Sequence, residues 1–179
     1  MKIYLVRHAI AEAHGVSPDL VRAAAKKSKP FAVNGDSDRA LTEQGKSKMA
    51  RAAQGLRKIK VDLDLVLTSP LRRARETAEI VAGQLGGVKI ETLDALSPGA
   101  EPSAVITALR HHQDLRSIAL VGHEPDLGHL ASFLLAGSSS ACHVTFKKGA
   151  VACLEGDLAD EATSCSLLWL MPPKMLRSL

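Results

Sequence analysis

The stretch Ile3-Tyr4-Leu5-Val6, followed at once by Arg7-His8, decides the fold of this chain. Its four apolar residues do not alternate with polar ones, which is typical of a strand buried on both faces of a sheet. Such a strand needs helices above and below it, because neither of its faces meets water. The stretch therefore predicts an α/β fold, with two polar side chains placed directly after the strand.

Further short apolar runs follow along the chain, and segments with helical spacing separate most of them. The runs cover residues 65–67, 118–121, 151–154 and 167–170, and the helical segments lie near 41–56, 71–85, 105–109 and 127–134. Strands that alternate with helices predict a three-layer α/β/α sandwich, with a mostly parallel central sheet and helices on both faces. The short polar link between the last two runs allows that pair to be antiparallel.

The chain has 179 residues, close to the roughly 150 of one domain, so we expect a single domain over residues 1–179. Residues 14–34 differ from the rest, because they are basic, rich in Ala and interrupted by Pro18 and Pro30. We interpret them as an insertion loop. Since the insertion follows His8 closely, we expect it to lie near the site.

Charge and aromatic content limit the class of ligand. Residues 1–80 carry 16 Lys and Arg against 9 Asp and Glu, whereas residues 81–179 carry 7 against 10. This asymmetry favours capture of an anionic group. With only three Phe, one Tyr and one Trp, the surface has few rings on which bases can stack, so no nucleic-acid partner is expected.

Cysteine usage and the N-terminus indicate the compartment. Cys142, Cys153 and Cys165 form no CxxC pair, which disfavours structural disulfides and a cysteine zinc site. The first apolar run is too short for a signal peptide or a membrane span. We expect a cytoplasmic protein with no membrane partner.

Three polar clusters follow predicted strands, and each comes just before a predicted helix. They are Arg7-His8, the segment from Ser69 to Arg73, and Gly122-His123-Glu124-Pro125. Ligands of open α/β sheets bind beyond the carboxyl ends of the strands, so we expect two His and at least two Arg to converge there. Ser69 is predicted to cap a helix that starts at Pro70, with Pro125 in the same role as Pro70. Helix N-termini beside arginines favour a phosphate site.

The chemistry that fits this cluster is phosphoryl transfer. Arg7 can hold a phosphate and keep His8 neutral and nucleophilic by like-charge repulsion, while His123 and Arg73 donate to nonbridging oxygens. A metal site is a competing interpretation of the two His, with Glu124 as a further ligand. We disfavour it because no HxxxH or HxH spacing occurs and the arginines would repel a dication. We therefore expect no metal and no cofactor.

Four motifs resemble those of the histidine phosphatase superfamily, which has the phosphoglycerate mutase-like fold. They are Val6-Arg7-His8-Ala9, residues 38–45 (DRALTEQG), residues 69–78 (SPLRRARETA) and residues 121–125 (VGHEP). The short chain, Ala9 in place of the common Gly and the segment 96–99 (LSPG) are most similar to the phosphohistidine phosphatase (SixA) branch. The resemblance implies that His8 is the nucleophile and that Arg7, Arg73 and His123 complete the phosphate pocket. It places Arg39 near the rim, as a further candidate for substrate binding, and leaves Arg72 solvated.

The chain departs from larger family members, which use a mid-chain Glu to protonate an alcohol leaving group. Glu91, Asp94 and Glu101 lie in that region, but no motif assigns the role to any of them. Phosphohistidine needs no such acid when its other ring nitrogen is protonated, because it then leaves as neutral imidazole. The sequence thus favours a metal-independent phosphatase that acts on a phosphorylated histidine-containing protein, such as a phosphotransfer domain. The alternatives are a phosphatase for small phosphate esters and a noncatalytic module that binds phosphorylated partners.

Overall fold

A computed structural model of the chain describes residues 1–13, 38–158 and 164–179. The predicted insertion at 14–34 lies outside these residues. The strands are β1 (Lys2–Arg7), β2 (Leu65–Thr68), β3 (Ile90–Thr92), β4 (Ser117–Gly122), β5 (Val151–Asp157) and β6 (Ser164–Met171). The helices are α1 (Glu43–Lys58), α2 (Arg72–Gln84), α3 (Pro102–Arg110), α4 (Asp126–Ala136) and α5 (Pro173–Leu176). A short 3-10 helix covers Asp94–Leu96.

The strands form one mixed sheet in the order β3-β2-β4-β1-β5-β6. The first four in this order are parallel to one another, whereas β5 is antiparallel to both β1 and β6. The predicted mostly parallel sheet is thus confirmed, and the last pair, for which the short link allowed either direction, is antiparallel. All five predicted runs are strands.

Helices cover both faces of the sheet, as the apolar run in β1 predicted. Ile3 and Leu5 point to one side, where they join a core built with α3 and α4. Tyr4 and Val6 point to the other side and pack with α1, α2 and α5. Because successive side chains of a strand alternate between faces, a strand buried on both faces must be apolar at every position. The α/β/α sandwich is therefore the observed architecture.

Strand β3 was not predicted from the sequence. It contains only three residues, of which Ile90 alone is apolar, and it lies at the edge of the sheet. Ile90 is 36% exposed, and Glu91 forms a solvent-exposed ion pair with Lys89. An edge strand with so little buried surface leaves no periodic signal in the sequence.

The register of the sheet brings the polar clusters together. Arg7 at the end of β1 lies opposite Gly122 at the end of β4, and Thr68 of β2 lies opposite Val121. No helix in the described part of the chain has the length and apolar character that crossing a membrane requires.

Candidate active site

The residues that follow β1, β2 and β4 meet at the carboxyl edge of the sheet. The backbone N–H of His8 donates to the carbonyl of Gly122 at 3.0 Å, and that of Ser69 donates to Val121 at 3.0 Å. These bonds continue the parallel ladders by one residue beyond each strand. The rings of His8 and His123 consequently lie with their centroids 5.1 Å apart. The predicted convergence of the two histidines is observed.

His8 is buried and its tautomer is determined by a backbone carbonyl. Its Nδ1 lies 2.7 Å from the carbonyl oxygen of Ala9. A carbonyl oxygen only accepts hydrogen bonds, so Nδ1 carries the hydrogen and donates it. The lone pair of the neutral ring is then on Nε2, which makes Nε2 the nucleophilic atom.

The surroundings of His8 favour its neutral form. Burial lowers its pKa to about 4, and the charges of Arg73, Arg7 and Lys148 act in the same direction against the opposing effect of the Ala9 carbonyl. Only 6% of the residue is exposed, so burial outweighs the rest. The imidazole is therefore uncharged at neutral pH.

Two arginines lie beside this imidazole. Arg73 is buried in the first turn of α2. Arg7 is half-buried, and its Nη1 donates to the carbonyl of Phe146. The Nε of Arg7 has no hydrogen-bond partner among the residues the structure describes. A guanidinium held in this way presents N–H donors in a fixed plane, which suits a phosphate group.

Ser69 has a different role from the predicted one. Helix α2 begins at Arg72 with Leu71 as its N-cap, so Ser69 does not cap it and Pro70 is not its first residue. Pro125 is likewise the N-cap of α4, one residue before the helix begins. Ser69 is fully buried, and its Oγ accepts from the Leu71 N–H at 3.3 Å and lies 2.8 Å from Nε2 of His123. The capping prediction was wrong because the chain turns once more before α2, which aims the hydroxyl at the second histidine.

Glu124 holds the segment that orients Arg7, a role that the sequence did not indicate. Its Oε1 accepts from the backbone N–H of Phe146, whose carbonyl accepts from Nη1 of Arg7. Phe146 is fully buried, so both groups of its backbone need partners inside the protein. The position of Glu124 directly after His123 was the only available signal.

Thr77 joins α2 to the loop that carries His8. Its hydroxyl donates to the carbonyl of Arg73 at 2.7 Å and accepts from the backbone N–H of Ala9 at 3.1 Å. Thr77 is fully buried. One side chain thus connects the turn of helix that holds Arg73 with the residue next to His8.

The other predicted arginines lie farther out. Arg39 donates from Nη1 to the carbonyl of Glu12 at 3.0 Å, on the loop that follows β1. Its contact with substrate stays a prediction. Arg72 pairs with Glu76 at 2.8 Å, and its side chain is 42% exposed. Arg73 therefore points inward, as the motif implies, and Arg72 outward.

Within the described residues, none of the three carboxylates considered as general acids forms a hydrogen bond or an ion pair with His8, Arg73 or His123. Glu91 is on edge strand β3, where Lys89 at 2.7 Å lowers its pKa, and Asp94 and Glu101 are exposed. The two carboxylates that follow His123 accept hydrogen bonds from backbone N–H groups: Glu124 from Phe146, and Asp126 from Gly99 at 3.2 Å. Within the described ranges, no three His, Cys, Asp or Glu side chains come together as metal ligands would.

The chain is similar in sequence to a known protein family and to individual proteins. The profile of the histidine phosphatase superfamily (branch 1) matches residues 3–97. An uncharacterized protein of Picosynechococcus is 33% identical over 145 residues, which are 79% of this chain and 87% of that protein. Phosphohistidine phosphatase SixA of Escherichia coli is 30% identical over 146 residues, 79% of this chain and 86% of that protein.

A solved structure of the protein histidine phosphatase SixA complexed with tungstate has the same fold. The two structures superpose with a TM-score of 0.78 at 26% identity, over 98% of this chain and 99% of the other. Similarity in both sequence and structure supports placement in the SixA branch.

Proposed function

This chain belongs to the histidine phosphatase superfamily, and from that membership we propose that it hydrolyses phosphohistidine in a protein partner through a phosphoryl group carried on His8. Phosphatase activity is supported by the family and by the SixA relatives. The observation that carries the proposal is the neutral His8 ring, with Nδ1 tied to Ala9 and Nε2 left to attack, beside Arg73, Arg7 and His123.

In the first step, Nε2 of His8 attacks phosphorus. A new N–P bond forms on His8 as the P–N bond to the substrate histidine breaks, and the electron pair of that bond returns to the substrate ring. Arg7 and Arg73 stabilise the charge on the nonbridging oxygens, and His123 donates to one of them. Ser69, at 2.8 Å, keeps the His123 ring in position for this.

In the second step, water attacks the phosphorus of phospho-His8. The N–P bond breaks, its electron pair returns to Nε2, and the proton lost by water goes to the phosphate product or to solvent. His8 is thus regenerated as the neutral ring, the form that its burial favours. Every charge that the reaction develops meets an arginine or a histidine, so we propose that no metal takes part and that activity persists in EDTA.

The leaving group explains why a P–N bond is the proposed target. A substrate histidine protonated on its second nitrogen leaves as neutral imidazole, whose conjugate acid has a pKa of about 6.5. An alkoxide is far more basic and requires a proton donor. Glu91, the first candidate donor, is instead paired with Lys89.

The test is to trap the intermediate. The protein is mixed with a ³²P-labelled phosphohistidine protein, quenched, and treated with acid or alkali. We expect an adduct that is labile in acid and stable in alkali, present in His111→Ala and lost in His8→Ala. His111 is a matched control because it is exposed at the end of α3. An adduct that persists in His8→Ala, or faster turnover of a sugar phosphate than of phosphohistidine, would contradict the proposal.

A further inference from the structure

A basic groove of about 180 Å³ adjoins the candidate active site. Ala9, the residue after His8, lines it, and Lys48, Lys148 and Arg177 supply its charged groups. These cations come from three separate parts of the chain: α1, the turn before β5 and the C-terminal residues after α5. We call these three side chains and the space between them the basic groove.

The basic groove and the phosphate pocket share a wall. The backbone N–H of Gly149, which also lines the groove, donates to the carbonyls of both Arg7 and His8 at 3.1 Å. Lys148 lies close enough to His8 for its positive charge to lower the pKa of the imidazole. A molecule whose phosphoryl group reaches His8 therefore brings its neighbouring groups to the mouth of the basic groove.

The three cations lack acidic partners in the part of the chain that the structure describes. No Asp or Glu lines the groove, and none lies within 4.0 Å of Lys48, Lys148 or Arg177 in residues 1–13, 38–158 and 164–179. Four other cations of the described surface do pair with neighbouring acids, as Lys46 does with Glu43 at 3.0 Å. Three like charges around one concave surface attract anions.

We propose that the basic groove binds the carboxylates of acidic residues that flank the phosphohistidine of a protein substrate. The inference rests on the proposed function, since it assigns the partner of the same site. The groove has room for one or two carboxylate side chains but not for a helix, which has a diameter of about 10 Å. Adjacent residues of an extended chain lie about 3.5 Å apart, so residues next to the phosphohistidine reach an adjoining groove. Lysines on flexible stems suit interchangeable acidic side chains better than one rigid ligand.

The experiment compares two synthetic phosphohistidine peptides that differ only in whether Glu or Gln flanks the phosphohistidine. The ratio of their kcat/KM values is measured within each protein, so that any loss of folded enzyme cancels. The proteins are the wild type, the double variant Lys48→Gln/Arg177→Gln, and the control Arg57→Gln. Arg57 is exposed on the same helix as Lys48, nine residues away, which is about 14 Å along the axis.

We expect the wild type to prefer the Glu peptide and the double variant to lose that preference. Partly exposed ion pairs contribute little free energy, so removal of each cation should lower the ratio of the two kcat/KM values roughly two- to fivefold. Arg57→Gln should leave the ratio unchanged, and added salt should lower it in the wild type.

Two results would overturn the inference while leaving the proposed function intact: equal turnover of both peptides by the wild type, or the same loss in Arg57→Gln as in the double variant. A wild type that hydrolyses an aryl phosphate but neither peptide would instead refute the proposed function, and the inference with it.

Discussion

Replacing Thr77 with valine tests how the His8 loop is held in place. Valine has nearly the shape of threonine, but it has no hydroxyl. The substitution removes the acceptor of the Ala9 N–H at 3.1 Å and the donor to the Arg73 carbonyl at 2.7 Å. Thr77 is 0% and Ala9 3% exposed, so water has little access to the groups left behind.

The free energy of unfolding should fall by about 1–3 kcal/mol, the cost of a buried donor left without an acceptor. The Arg73 carbonyl adds little to this loss, because the carbonyls in the first turn of a helix accept from backbone N–H groups four residues later. A loss of this size is a large part of the roughly 5–15 kcal/mol that stabilises a domain. The kcat should fall as well, since Ala9 is next to the nucleophile and small displacements of reacting atoms are costly.

The assay is urea unfolding together with steady-state hydrolysis of phosphohistidine. Thr107→Val is the matched control, because the Thr107 hydroxyl donates to the Ser103 carbonyl at 3.0 Å on an exposed face of α3. Its cost should stay within about 0.5 kcal/mol. Thr77→Ser keeps the hydroxyl, so it should retain kcat even where the lost methyl group lowers stability.

Equal destabilisation by Thr77→Val and Thr107→Val would refute this reasoning. So would a Thr77→Val protein with unchanged kcat, because the contact with Ala9 would then have no effect on the nucleophile.

Two further predictions concern the residues around Arg7 and His8. The folded pKa of His8, about 4, lies below its unfolded value of 6.5, so the unfolded state binds the proton more readily. The stability from neutral His8 is therefore present above pH 6.5 and lost as the pH falls toward 4. Urea unfolding at several pH values should show this loss in the wild type and a weaker one in His8→Asn, and equal slopes would contradict it. Glu124→Ala should raise KM and lower the free energy of unfolding by about 1–3 kcal/mol, because the buried Phe146 N–H loses its acceptor. Glu124→Gln keeps an acceptor oxygen, so its KM and its free energy of unfolding should stay close to those of the wild type. Similar KM values in the two variants would show that Glu124 does not position Arg7.

The positions of Arg7, His8 and His123 could be predicted because they depend on local patterns. Short apolar runs mark the buried strands, and parallel strands end at the same edge of a sheet. Strand β3 was not predicted from the sequence, because an exposed edge strand carries no periodic pattern of apolar residues. Ser69 was misassigned because a Ser-Pro pair at a predicted helix start looks like a cap, whereas its true partner is 54 residues away.

The sequence by itself determined the order of the five predicted strands and four predicted helices, the two buried faces of β1 and the edge of the sheet at which its polar residues gather. Each of these follows from the spacing of apolar residues along the chain. Only the tertiary structure decided which groups meet: Ser69 with His123, Arg7 with the Phe146 carbonyl 139 residues away, and the three cations of the basic groove. Such pairs join residues from distant segments, and the spacing of apolar residues within one segment does not specify which side chains of another segment will contact it.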